Sequence, residues 1–509
     1  MIFVYLCCFL LFLYYLYRKN YKYWESKGVL TEKPFFIFGS FYDVALRRKH
    51  LFHKVREIYD KFSTPYVGIY IFNQPTLVIR SPELLKKVLV KDFDKFINRK
   101  VAANESVDPV FFHTLFSAKN DNWRNLRAKI SPVFTSGKIK LMFPLMKECG
   151  TDLLNYFKKR SGGVIEARNV TKKYAVDIIS SCAFGINSYC LKDDNSEIMQ
   201  IATQLVDFKS FIRSISIFCF FFMPKLVDIF RLTFADKKAS EYLMNVFKTT
   251  INERRKKTIV RNDLIDMLHN LKENSSSSDF TFDDVKMAAQ ALSFFSAGND
   301  TTSITITFAL YELALNTDIQ NRLREEIRKR YEAHGDFTYE AIQEMKYLEM
   351  VLCETLRKYP LTIFLNREAV SNYTLEESGL TIDKGTSIMI PVAGLHFDEE
   401  YFPNPEKFDP ERFSDENKSK IVPYTYMPFG DGPRICIGMT FMSLYKSITN
   451  VDVLGQRFAM LVSKVALAYI LKDFAVEKTD STTVPMQLDP GAIFLMNKNG
   501  VNLRVVEVK

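Results

Sequence analysis

The chain opens on a nearly continuous apolar and aromatic run, Met1 to Tyr17 (MIFVYLCCFLLFLYYLY), followed by Arg18, Lys19 and Lys22. Seventeen residues is the short end of a membrane span. No basic residue precedes the run and no small-residue cleavage site follows it, so an uncleaved signal anchor is expected. Positive charge after the span places the body on the cytosolic side. Pro34 and Gly39 mark the turn into that body. From there the pattern is mostly helical, beginning with a helix from about His50 to Phe62. Val67–Phe72 and Thr76–Arg80 alternate around Asn73-Gln74-Pro75, which predicts a hairpin. Ser81-Pro82-Glu83 then starts another helix. A second greasy stretch, Phe208 to Phe230, is interrupted by Arg213 and Pro224, which argues against a span. Asn274-Ser-Ser-Ser-Ser-Asp279 is a solvated linker too short to separate domains. Thr281-Phe-Asp-Asp284 reads as a capping box opening a long helix. Ile382 to Pro391 reads as strand and turn, and Leu488 to Leu495 as a last hairpin.

Composition narrows the picture. With 47% hydrophobic residues and 44 phenylalanines in 509 residues, the chain has ample material for a large core or for contact with lipid. The net charge of +10 comes without a dense Lys/Arg tract. It suits a membrane surface or an acidic protein partner better than nucleic acid. The eight cysteines are scattered, with no C-x-x-C and no Cys/His cluster at zinc spacing. They read as reduced thiols of a cytosol-facing protein.

One of those thiols has an unusual setting, Phe429-Gly-Asp-Gly-Pro-Arg-Ile-Cys436-Ile-Gly438. Glycines let a backbone approach a flat ligand closely, and a thiolate is a soft, strongly donating ligand for iron. Arg434 is placed to reach a carboxylate on such a ligand's rim. A lone loop cysteine is more often a buried, inert thiol. Elsewhere, Trp123 and Arg127 share a helix face at i and i+4 and together can grip a carboxylate. A surface arginine stacked on a tryptophan is the bland alternative. In Ala297-Gly-Asn-Asp300-Thr301-Thr302, an acid beside a hydroxyl suits a proton relay, whereas a simple helix kink with solvent-facing polar groups is the alternative. Glu354 and Arg357 at i, i+3 form a common helix pair that alone means little.

Taken together these motifs resemble the cytochrome P-450 superfamily of haem-thiolate monooxygenases, along nearly all of residues 34–509. The phrase Trp123-Arg-Asn-Leu-Arg-Ala-Lys-Ile-Ser-Pro-Val-Phe-Thr-Ser-Gly is similar to microsomal, insect-type detoxification members. The resemblance implies a mainly α fold with a smaller β-rich part (α+β) holding haem b. It implies Cys436 as the iron's axial ligand in the loop headed by Phe429. It places Trp123, Arg127, Arg367 and Arg434 near the haem propionates, with His396 a weaker candidate. Thr301 would orient dioxygen and Asp300 feed protons. Glu354, Arg357 and Arg412 would brace the cysteine loop from behind. Substrate walls would come from about 101–121, 208–222 and 492–494. The segment 208–230 would cover the substrate entrance and dip into lipid.

The implied activity is insertion of one oxygen atom into a lipophilic small molecule, xenobiotic or endogenous. The chain has no fused flavin domain, P-loop or dinucleotide fingerprint, so NADPH electrons are expected from a separate reductase, with cytochrome b5 a further candidate donor. The expected organisation is an anchor at 1–17 in the endoplasmic reticulum membrane, a basic linker at 18–33 and a monooxygenase domain at 34–509.

One departure stands out. The family typically runs straight on as C-I-G-x-R-F-A-x-L, but here the equivalent Gln456-Arg-Phe-Ala-Met-Leu461 arrives about seventeen residues late. The intruding segment is 439–455, read as an unspliced intron, a gene-model error or a looped-out insertion. It is also the feature that supports an inactive haem- or ligand-binding relative. An isomerase or dehydratase needing no external electrons is a third reading, opposed by the intact Asp300–Thr301 pair.

Overall fold

The computed structural model describes residues 4–5, 14–15, 20–205, 210–257, 260–273, 282–437 and 458–508. Most of the expected anchor, the serine linker at 274–279, Thr281, Gly438 and the segment 439–455 lie outside the described residues. No helix among the described residues is long and apolar enough to cross a membrane.

His50 is extended, and its Nδ1 accepts the Phe52 N–H at 3.0 Å, capping α1 (Leu51–Lys61). The hairpin follows as β1 (Tyr66–Ile71) and β2 (Gln74–Ile79), antiparallel with Tyr66 opposite Ile79. Its turn is shorter than expected. Phe72 takes φ 53, so Gln74 and Pro75 already belong to β2. α2 (Asn120–Ile130) carries Trp123 and Arg127, and α3 (Ser136–Lys158) is the first long core helix. After β3 (Val164–Glu166), α4 (Ala167–Ile179) is buried along most of its length.

The greasy stretch forms two helices, α5 (Phe211–Phe222) and α6 (Pro224–Phe230). Met223 between them sits at φ −138, ψ 58, because a proline disfavours helical backbone in the residue before it. α7 (Lys237–Lys257) precedes α8 (Asp284–Leu315), the longest helix described. The cap of α8 differs from the expected box. Asp283 accepts the Lys286 N–H at 2.8 Å. Asp284 is the first helical residue and pairs with Lys272 at 2.7 Å.

α9 (Thr317–His334) and α10 (Lys346–Lys358) follow. β4 (Leu365–Glu368) and β5 (Ser387–Ile390) then complete a four-stranded sheet in the order β1-β2-β5-β4. The β2–β5 pairing is parallel and starts at Thr76, one residue past Pro75, which has no N–H to offer a ladder. α11 (Phe458–Leu471), β6 (Phe474–Lys478) and β7 (Asn502–Glu507) close the described chain, with β3-β7-β6 as a second sheet.

α8 is buried on nearly every face, as a helix at the centre of a large core must be. It lies against α4, α10 and α11. A Cβ on Gly298 would meet Ile179 Cδ1 at 2.5 Å, so this glycine serves the close packing of α4 on α8. The architecture is the expected one, mainly α with a smaller β-rich part.

Candidate active site

A cavity of about 700 Å³ lies beside α8. The α8 residues facing it include Ser293, Ala297, Thr301 and Thr305, spaced by four, which is one stripe of a helix. Small and hydroxyl side chains on that stripe leave room that leucines would fill. Aromatic rings make much of the remaining wall, among them Phe111, Phe116, Phe218, Phe222 and Phe494. The regions expected as substrate walls thus do converge here.

Cys436 lines the same cavity. It is exposed, whereas Cys149, Cys182, Cys190 and Cys219 are buried and Cys353 is partly covered. Burial pushes the thiols of Cys190 and Cys353 up to about 12 and that of Cys149 well above its usual range. Among the described residues, Cys436 is therefore the thiol open to a ligand. Its loop is tightly wound. Cys436 N–H donates to Phe429 O at 3.0 Å, Ile435 N–H to Gly432 O at 2.9 Å and Gly430 N–H to Met427 O at 3.0 Å. Gly432 has φ 72, and a Cβ there would fall 2.0 Å from Leu89 O. Only glycine fits that position.

Four arginines meet at this end of the cavity: Arg99, Arg127, Arg367 and Arg434. Arg434 is 2% exposed and stacks over Trp123 at 4.4 Å. Its Nε donates to Ile97 O at 2.5 Å and its Nη2 to Ala118 O at 2.6 Å, tying the cysteine loop to the chain before α2. Burial and then the charges of Arg99, Arg367 and Arg127 push it down to about 7. Burial and Arg99 push Arg367 down to about 9, partly offset by Asp431. Among the described residues the Nε of Arg367 is buried without a hydrogen-bond partner. Burial pushes Arg99 down to about 10, offset in part by attraction to Cys436. Packed guanidiniums in a dry site demand an anion.

On α8, Thr301 donates its hydroxyl proton to Ala297 O at 2.6 Å and lines the cavity. Asp300 is 6% exposed, held by Arg168 Nη2 at 2.7 Å and Lys172 Nζ at 3.6 Å.

Behind the loop, Arg357 forms a bidentate pair with Glu354, both contacts 2.8 Å, with both side chains fully buried. Arg357 also donates to His396 O at 2.8 Å and Pro405 O at 2.7 Å. Arg412 joins at 3.5 Å as an ion pair only, since its Nε makes no hydrogen bond. His396 belongs to this brace and does not line the cavity. Its Nε2 accepts the Met427 N–H at 3.0 Å, so its Nδ1 carries the proton toward Arg357 O at 3.0 Å. With both ring nitrogens engaged, it has none for a propionate.

A family model described as Cytochrome P450 matches residues 30–444. The chain belongs to the cytochrome P450 family. Relatives include Cytochrome P450 6k1 of Blattella germanica, 37% identical over 97% of this chain and 94% of the relative. Probable cytochrome P450 6a23 of Drosophila melanogaster is 36% identical over 97% and 96%. This P450 is a haem monooxygenase, and haem b is the cofactor of its family. The residues present fit that group: an apolar cavity, an open thiol, and four arginines, of which Arg367 keeps a buried Nε that has no hydrogen-bond partner among the described residues.

Two members of the site have no sequence signature. Arg99 belongs to no motif and reaches the cluster only through the fold. Arg168 lies on α4, 132 residues from its partner Asp300. An unpaired acid in the middle of a core helix was the only available hint that such a cation exists.

Proposed function

We propose that this P450 inserts one oxygen atom into a lipophilic small molecule, with Cys436 as the axial ligand of the haem iron. The observation that carries the reading is the convergence of the open Cys436 thiol and the four arginines on one apolar cavity. When bound, haem supplies the activation of dioxygen. Arg99, Arg127, Arg367 and Arg434, with Trp123, would hold its two carboxylates, which would relieve the arginines' mutual repulsion. The Cys436 thiolate would hold the iron as a soft, electron-rich ligand. Thr301 orients the oxygen and Asp300 hands on protons, exchanging Arg168 for a donor in the cavity as it does so. The phenylalanine walls exclude water and hold the substrate.

The apolar run at 1–17 anchors the body to the endoplasmic reticulum membrane, facing the cytosol. Exposed Phe211, Ile212, Ile229 and Phe230 on α5 and α6 touch the lipid surface. Electrons come from a separate NADPH-cytochrome reductase, with cytochrome b5 as a second donor. Residues on either side of the inserted segment, Ile437 and Ala459, line the same cavity, so the chain before it and the chain after it contribute to one site. Xenobiotic or endogenous lipid metabolism is the physiological role this reading favours.

Turnover should require NADPH, the reductase and dioxygen, and labelled dioxygen should place one labelled atom in the product. Turnover without NADPH or oxygen would indicate isomerase or dehydratase chemistry. Haem binding with no oxygen uptake under any substrate would indicate the inactive relative.

A further inference from the structure

The chain between 101 and 118 is held in two halves by different elements. Its outer half is tied to α6 and the residues just after it. Asn104 Nδ2 donates to Asp228 at 2.7 Å, Arg231 Nη2 to Ser106 O at 2.9 Å and the Phe234 N–H to Asp108 at 2.9 Å. Its inner half carries Thr114, Leu115 and Phe116, which line the cavity. On one side of this half, Arg99 Nη1 donates to Phe116 O at 3.2 Å, and the guanidinium lies over the Phe116 ring at 4.5 Å.

On the other side, Gln290 ties the inner half to α8. Gln290 is 6% exposed. Its Oε1 accepts the Leu115 N–H at 3.1 Å. Its Nε2 donates to His113 O at 2.6 Å and to Lys286 O, one turn back on α8, at 3.2 Å. The two loop contacts cross 175 and 177 residues of sequence. An amide offers an acceptor to one backbone group and a donor to the other. A carboxylate would set oxygen against His113 O, and an apolar side chain would leave both backbone groups without this partner. Ser293, three residues on, lines the cavity, so the clamp joins wall and helix where both bound the same space.

We propose that Gln290 is a positioning residue that sets how bulky a substrate the cavity admits, by pinning the wall at Leu115 and Phe116 to the central helix. The inference deepens the monooxygenase reading and rests on it. α8 is fixed by its packing on α4, α10 and α11. A wall pinned to it cannot yield as the outer half can, which moves with the chain around α6. A ligand too wide for the gap must break the Leu115 and His113 contacts before it fits. Losing them in advance removes that cost for wide ligands and changes nothing for slim ones.

The test compares wild type, Q290M and Q290E as full haem-loaded chains. Hydrogen exchange at the Leu115 amide should be at least about tenfold faster in Q290M, with the amides of 102–111 and of α4 unchanged. Spectral titration with 1-tritylimidazole, a bulky iron ligand, should show about tenfold tighter binding in Q290M, and titration with slim 1-methylimidazole no change. Q290E keeps an acceptor for the Leu115 N–H but loses the donor to His113 O, so it should show part of each effect. Unchanged exchange at Leu115, or equal shifts in affinity for both imidazoles, overturns the proposal. So does faster exchange throughout the chain in both variants, or failure of both to yield haem-loaded protein, since Gln290 would then serve the fold alone. A carbon monoxide difference spectrum on the same preparations tests the underlying reading separately. Faster exchange confined to Leu115 without the thiolate-haem band counts against that reading and not against the clamp.

Discussion

Gly432 has less latitude than Gly430, the other described glycine of the cysteine loop. Its φ is 72, and the space where a Cβ would stand is occupied by Leu89 O at 2.0 Å. Gly432→Ala is expected to destabilise the protein by roughly 2–3 kcal/mol and to lower haem content in parallel, both read on purified protein by thermal unfolding and haem assay. His396 makes a pH-dependent contribution from the same region. Burial pushes it from 6.5 down to about 3. As pH falls the unfolded chain takes the proton first. Its contribution is therefore complete above about pH 6.5 and is lost toward pH 3, at about 1.4 kcal/mol per pH unit. In H396Q, chemical denaturation between about pH 4 and 5.5 should show a slope smaller by about one proton; an unchanged slope would place the histidine's proton elsewhere. At this scale the sequence was legible for placement where a motif is local: Cys436, Trp123 and Arg127 all line the one cavity. It was silent on Arg99, whose role exists only once distant segments meet. It misplaced His396, whose chemistry suits a propionate but whose two nitrogens are used by the backbone.

The brace on α10 separates strong from weak partners of one carboxylate. Arg357 holds Glu354 with two hydrogen bonds in a fully buried site, whereas Arg412 approaches at 3.5 Å without one. Glu354→Gln leaves Arg357 a buried cation without its counter-charge and should cost about 3–5 kcal/mol, seen as a large drop in melting temperature and in haem content. Arg412→Lys should cost under about 1 kcal/mol on the same assays. The pair of apolar helices α5 and α6 carries a different prediction. Their exposed side chains include Ile212 and Phe230, 73% and 66% exposed. Ile212→Asp with Phe230→Asp should leave the melting temperature within about 1 °C. It should reduce co-sedimentation of a form lacking residues 1–17 with phospholipid vesicles at least tenfold, given the apolar area lost to the bilayer. Elements were legible where pattern and turn chemistry agreed, as in α1 and the β1–β2 hairpin. The start of α8 was read a residue or two out of place because three acids and hydroxyls compete for one cap. The break at Met223 was foreseeable from Pro224, yet the two helices it separates share one apolar stretch and were anticipated as a single segment.

At the scale of the whole molecule, the chain brings residues from distant parts of the sequence to one cavity, Cys436 and four arginines among them. The fold class was legible because the long helices announce themselves by period and the short strands by turn residues. The cavity itself was not, since its lining comes from segments far apart in the sequence. The inserted segment at 439–455 bears on the whole site, because it separates the cysteine loop from α11, whose Ala459 and Met460 line the cavity. Expression with and without that segment should give the same haem content if it loops out, and haem only in the shorter form if it does not belong to the working enzyme.

The central claim is that Cys436, as thiolate, holds the iron of a haem seated against the arginine cluster. The most direct test is the carbon monoxide difference spectrum of the reduced protein, taken for the wild type and for Cys436→Ser. The account predicts the long-wavelength Soret band of thiolate-ligated haem in the wild type and its absence in C436S. An unchanged band in C436S, or no such band in well-expressed wild type that carries haem, would contradict it.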